Sequence, residues 1–153
     1  MNTKRITHFL LREAGIGVAL LLLVVVFSVV APKFATPTNL TNILTQISIN
    51  TVIAVGMTFV ILLGGIDLSV GSVLALCTVV AGLTITSDAF STPVAILLAV
   101  IASVVTGMAC GLFNGYVSNR WRIHSFIVTL GMLNIARGAA LQVSNSRTIF
   151  SFP

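Results

Sequence analysis

Apolar runs separated by short polar or proline-bearing stretches set the pattern of this chain. A helix that crosses a bilayer needs about 20 mainly apolar residues, within a range near 17–25. On that measure the pattern predicts spans over about 14–31, 43–63, 69–86, 93–113 and 125–141. The first run ends at Pro32-Lys33-Phe34-Ala35-Thr36-Pro37-Thr38, where two prolines and polar residues predict a loop. Thr38 or Asn39 is expected to cap the second helix. Its opening turns carry Gln46, Ser48, Asn50 and Thr51, which predicts a face toward protein or water rather than lipid. Ser87 to Thr92 is a short polar connection, and Pro93 suits the first turn of the fourth helix. Asn114 to His124 reads as a polar-basic loop with Tyr116 and Trp121 as interfacial aromatics, and VSNSRTIFSFP after the fifth run is irregular.

Composition turns these runs into a class. The chain is 57% hydrophobic and 7% charged, whereas soluble domains carry about a quarter charged residues. The fold class expected is therefore an all-α polytopic membrane protein with about five transmembrane helices, embedded in the lipid bilayer. The net charge of +5 has no basic-aromatic stripe behind it, which excludes a nucleic-acid partner. The basic residues instead sit at the edges of apolar runs and act as topology determinants. With a cytoplasmic N-terminus, Lys4, Arg5, Arg12, Arg120 and Arg122 lie inside, and only Lys33 and Arg147 lie outside. Treating residues 43–86 as one broken span would reverse Arg120 and Arg122, so two spans are expected there. The start resembles a signal peptide at Val29-Val30-Ala31, but Pro32 would follow the cut and further apolar segments follow, so an uncleaved anchor is expected.

Chemistry of other kinds has little to stand on. Cys77 and Cys110 lie inside apolar runs and form no C-x-x-C pair, and His8 and His124 have no ligand-spaced partners, so no metal site is expected. There is no G-K-[ST] phosphate loop and no nucleophile–base or paired-Asp arrangement, so an enzyme is not expected.

One stretch, ILLGGIDLSVGSVLAL over residues 61–76, holds the only charge between Lys33 and Asp88. Gly64 and Gly65 can end a helix. Asp67 can cap the next by accepting the N–H groups of Ser69 and Val70, and its charge complements that helix's positive end. The cap explains the carboxylate without a ligand and is the preferred reading. The functional alternative is that a helix break inside a membrane lines a pathway, where a carboxylate could bind a polar solute or hold a gate. Gly64, Gly65, Asp67 and Ser69 are the candidate pathway or gate residues. Asn50 and Thr58, eight residues apart and near one face, are weaker ones. Ser103, Gly107, Gly111 and Gly115 recur every four residues and predict a helix-packing groove. Arg137 lies about 18 Å along the fifth helix at 1.5 Å per residue, toward the outer face, where snorkelling to the interface is the simpler reading.

The segment NTVIAVGMTFVILLGGIDLSVGSVLAL closely resembles the signature of permease subunits of ribose-type bacterial ABC sugar importers, which also handle xylose, arabinose and galactose. FATPTNLTNILTQISIN and GLFNGYVSNRWRIHSFIVTLGMLNIARGAAL resemble the flanking blocks of that family. The resemblance implies a multi-pass protein of the bacterial inner (plasma) membrane that forms a sugar pathway with a second permease subunit, identical or not. It implies a periplasmic sugar-binding protein, a cytoplasmic ATPase with two nucleotide-binding domains, and alternating access. The chain itself would bind no cofactor, with ATP and Mg used by the partner ATPase. Such permeases are about twice this length, so the chain is expected to be a truncated, N-terminal half. Relatives often carry proline where this sequence has His124-Ser125. The rival readings are a non-transporting membrane scaffold and a stand-alone channel or secondary carrier.

Overall fold

A computed structural model describes the backbone of residues 3–150 and the side-chain surroundings of residues 15–150. Five helices follow in order: α1 Thr3–Val30, α2 Pro37–Leu62, α3 Val70–Ile85, α4 Thr92–Trp121 and α5 Ser125–Val143. Each of the five expected apolar spans falls on one of them. Lys4, Arg5 and Arg12, which carry much of the orientation argument, and His8 lie outside the residues whose side chains are described. Among the described residues, α2, α4 and α5 are long and apolar enough to cross a membrane, while Gly15–Val30 and Val70–Ile85 are shorter apolar helices.

Two boundaries differ from those expected. Thr36, not Thr38 or Asn39, caps α2: its Oγ1 accepts the Asn39 N–H at 3.3 Å and its carbonyl accepts the Leu40 N–H at 3.0 Å. Pro37 follows at the first helical position, where its missing N–H costs nothing. Further on, the stretch expected as a loop from Asn114 is helical to Trp121. Polar side chains there do not break the helix, because the stretch contains no proline and the chain stops only where Arg122 turns left-handed at φ 53°.

The chain divides into two compact units, Met1–Val52 and Ile53–Pro153, and the division falls within α2. In the first unit, every described side chain of α1 is exposed, and the turn after it is held locally. Asn39 Nδ2 donates to Phe34 O at 2.7 Å, and the rings of Phe27 and Phe34 lie 5.6 Å apart.

In the second unit α3 packs against both α4 and α5, which also touch each other. Most buried helix positions are small: Ser72 and Gly82 on α3, Ala95 and Ala99 on α4, Ala136 and Ala140 on α5, with Asn114, Thr129 and Met132 the larger ones. Such an interior suits a bilayer. Lipid tails are as apolar as leucine, so helices associate through close van der Waals approach rather than by hiding large apolar groups from water. α5 closes with Asn145 in the left-handed region, the Ser146 N–H reaching Leu141 O at 2.8 Å and the Asn145 N–H reaching Gln142 O at 3.2 Å.

Candidate functional site

The break between α2 and α3 is built by three successive devices. Gly64 ends α2 in the left-handed conformation at φ 75°, its N–H bonding Ile61 O and the Gly65 N–H bonding Val60 O, each at 2.9 Å. This pair of bonds is the Schellman ending that glycine favours. Gly65 lies so close to α5 that a Cβ there would stand 3.1 Å from Ser125 Oγ and 3.2 Å from the Val60 carbonyl. From Ile66 onward the chain runs irregularly to α3.

Backbone polar groups outside a helix must find partners where water is scarce. Two hydroxyls one turn apart on α5 supply them. Ser125 Oγ accepts the Ile66 N–H at 3.0 Å, and Thr129 Oγ1 accepts the Leu68 N–H at 3.1 Å. The single proton of Thr129 faces both Ile66 O at 3.2 Å and Phe126 O at 3.3 Å. Thr129 is 3% exposed, so its hydroxyl is shielded from solvent, whereas the Ile66–Ser125 bond lies at the surface.

The carboxylate completes the linker in a way that corrects the expected cap. Asp67 Oδ1 accepts the Ser69 N–H at 2.7 Å and the Ser69 hydroxyl at 2.6 Å, and does not take the Val70 N–H. The reason is register. Ser69 itself occupies the cap position, its carbonyl accepting the Val73 N–H at 2.8 Å, which leaves Asp67 two residues outside the helix. Ser69 is buried at 1% exposure and in turn accepts from Asn114 Nδ2 of α4 at 3.1 Å. The chain of bonds Asn114–Ser69–Asp67 therefore ties the start of α3 to α4, as Ser125 and Thr129 tie the linker to α5.

Two cavities meet at this junction. One, of about 520 Å³, lies toward the C-terminal end of α4 and is lined by Gly64, Gly65, Asn119, His124 and Ser125 among others. The second, of about 270 Å³, lies along α3 and α4 at Val70, Val73, Cys77 and Gly107. Asp67, Gly111 and Asn114 border both.

Of the residues singled out in the sequence, Gly64, Gly65, Asp67 and Ser69 are brought together here. Thr58 is exposed on α2 and its hydroxyl bonds back to Ala54 O at 2.7 Å; Asn50 is exposed in the other unit. The four-residue stripe on α4 divides. Ser103 Oγ and Cys77 O are 3.4 Å apart, and a Cβ on Gly107 would meet Cys77 Sγ at 3.5 Å, whereas Gly111 and Gly115 line the larger cavity. Arg137 is exposed, about 12 Å of helix axis beyond Thr129. Asn114, Ser125 and Thr129 were not singled out. Their signal in the sequence was an isolated amide or hydroxyl inside an apolar helix.

These features sit in a membrane protein whose family the sequence identifies. The model of the branched-chain amino acid transport system permease component matches residues 39–151, and the chain belongs to that permease family. It is 42% identical over 132 residues to the ribose import permease protein RbsC of Escherichia coli K12, covering 86% of this chain and 40% of that one. It is 39% identical over 140 residues to the L-arabinose ABC transporter permease protein AraH of Azospirillum brasilense, covering 92% of this chain and 40% of that one. With RbsC of Bacillus subtilis the identity is 39% over 149 residues, 95% of this chain and 44% of that one. The chain thus spans less than half the length of these curated relatives, and no solved structure matches it. Their names agree with the resemblance read at residues 50–76, and with the membrane-crossing helices they place the chain in the bacterial inner membrane.

Proposed function

We propose that this chain forms part of the translocation pathway of an ATP-driven monosaccharide importer, with the α2–α3 linker as its gate. The observation that carries the reading is the position of the Asp67–Ser69–Asn114 chain, which borders two cavities arranged along α4. Names of relatives that import ribose and arabinose support the solute class. The linker is held by side-chain bonds to two different helices, and exchanging those bonds for others would supply the discrete switch that alternating access requires. Asp67 is then both an organiser of the α3 start and a wall of the passage. ATP hydrolysis, with Mg, belongs to a separate cytoplasmic ATPase with two nucleotide-binding domains. A periplasmic binding protein delivers the sugar, and a second permease subunit completes the pathway. The N-terminus faces the cytoplasm, which puts the linker and the larger cavity at the cytoplasmic end.

The test is uptake into proteoliposomes of the gene product carrying this sequence, reconstituted with its ATPase and binding protein. Accumulation of ribose or arabinose that requires ATP is expected. Uptake that proceeds without ATPase or nucleotide would favour a stand-alone carrier and overturn the reading.

A further inference from the structure

We infer that Asn114 and Ser118, one turn apart on α4, form a hydroxyl-binding pair for a polyhydroxylated solute in the larger cavity. The inference rests on the importer reading above for the class of solute, and on the structure for the residues.

Asn114 is 8% exposed, and its two polar atoms have different fates. Nδ2 is spent on Ser69 Oγ at 3.1 Å. The orientation of the amide is set by that bond, because the Ser69 proton is already committed to Asp67 Oδ1 at 2.6 Å and the serine oxygen can only accept. Oδ1 is left buried with no hydrogen-bond partner among the described residues, and so is the hydroxyl of Ser118. Serine within a helix commonly bonds the carbonyl four residues back, so its lack of a partner here is a second, separate vacancy. Buried polar groups are almost always paired in folded proteins, and two orphans on successive turns beside one cavity mark a place where partners are supplied from elsewhere.

The chemistry of the missing partner follows. An amide oxygen only accepts, so the partner of Asn114 must donate. Ser118 both donates and accepts. An alcohol meets both needs, and two alcohols on one ring can meet them together across the roughly 6 Å of axis that separates residues four apart. The cavity of about 520 Å³ is of the size that holds small organic ligands, roughly 300–1,000 Å³. Gly111 and Gly115 keep this face of α4 open: a Cβ on either would meet nothing within 4 Å. The solute stands on the glycine face of α4, hydrogen-bonded to Asn114 Oδ1 and Ser118 Oγ, with Asp67 on its flank.

Two readouts test the pair in the complete protein. In a Cys77→Ala/Cys110→Ala background, Ser118→Cys is labelled with a small thiol reagent with and without millimolar ribose or arabinose. Several-fold slower labelling with sugar is expected, and protection should disappear when Asn114→Ala is added. Separately, Ser118→Ala should raise the KM for uptake about five- to tenfold at unchanged protein abundance, the loss of one buried hydrogen bond. Unchanged labelling and unchanged KM in an otherwise transporting protein would mean that something other than sugar satisfies the two atoms, and would overturn the inference. Sugar protection without ATP-dependent uptake would instead keep the pair and sink the importer reading. Should Asn114→Ala fail to fold, the Ser118 substitutions decide the matter alone.

Discussion

Ser103 and Gly107 share one face of α4 with Gly111 and Gly115, at the same four-residue spacing, yet the two pairs meet different surroundings. The first pair lies against α3, with Cys77 Sγ at van der Waals distance from any Cβ added at Gly107. Gly107 also borders the smaller cavity, which Gly111 shares, while Gly111 and Gly115 open on the larger one, where an added Cβ would touch nothing. The cause lies in the partner helix. α3 begins only at Val70, so at Gly115 the irregular linker stands in its place and the cavity separates α4 from Val60, Leu63 and Ser125. Small residues thus serve close packing beside α3 at Gly107 and leave a cavity open at Gly115.

Leucine at each position breaks the two halves apart most strongly. Gly107→Leu should overpack the α3–α4 contact and lower stability by about 1–3 kcal/mol, seen as a lower thermal midpoint of the solubilised protein. Gly115→Leu should leave that midpoint unchanged while uptake is lost, because its side chain enters the cavity. Equal loss of stability in both would erase the distinction.

The cavity half depends on the linker, and its anchors are the next test. Thr129→Val preserves shape but removes the acceptor of the part-buried Leu68 N–H and the donor to Ile66 O, which should destabilise the protein by about 1–2 kcal/mol. Thr129→Ser should restore most of it. A smaller effect is expected at Asp67. Replacing the carboxylate by alanine removes the acceptor of both Ser69 bonds and should cost about 1 kcal/mol, while Asp67→Asn keeps an acceptor oxygen and should stay near wild type in abundance. Loss of transport in that stable Asp67→Asn variant would show that the charge itself, beyond the capping geometry, is required. Smallest of all, Ser103→Ala in the packing half removes a hydroxyl that donates to Ala99 O within α4 at 2.7 Å and only reaches Cys77 O of α3 at 3.4 Å, and should cost no more than about 0.6 kcal/mol in the thermal assay.

Much of this arrangement is legible along the chain. Apolar length alone locates five helices, and Gly64-Gly65 followed by Asp67 locates the break and its end signals, because those depend on local backbone preferences. The parts that escape are tertiary. Asn114, Ser125 and Thr129 look like incidental polar residues until α4 and α5 are laid beside the linker, and nothing in their own neighbourhood states which N–H they will meet. The exact partners of Asp67 escape for a local reason: Ser69 competes for the cap position and wins, so the carboxylate binds Ser69 twice instead of reaching Val70. The helical stretch from Asn114 to Trp121 escapes because polar side chains without a proline do not end a helix, which here runs on to the left-handed Arg122.

The central claim is that the α2–α3 linker is held against α5 and must move for solute to pass. Cysteines at Gly65→Cys and Ser125→Cys, in a background without Cys77 and Cys110, test it directly, since a Cβ at position 65 stands 3.1 Å from the Ser125 side-chain oxygen. Mild oxidation is expected to form the cross-link readily and to stop ATP-driven uptake, with recovery on reduction. Failure of the two cysteines to join, or full uptake by the cross-linked protein, would contradict it.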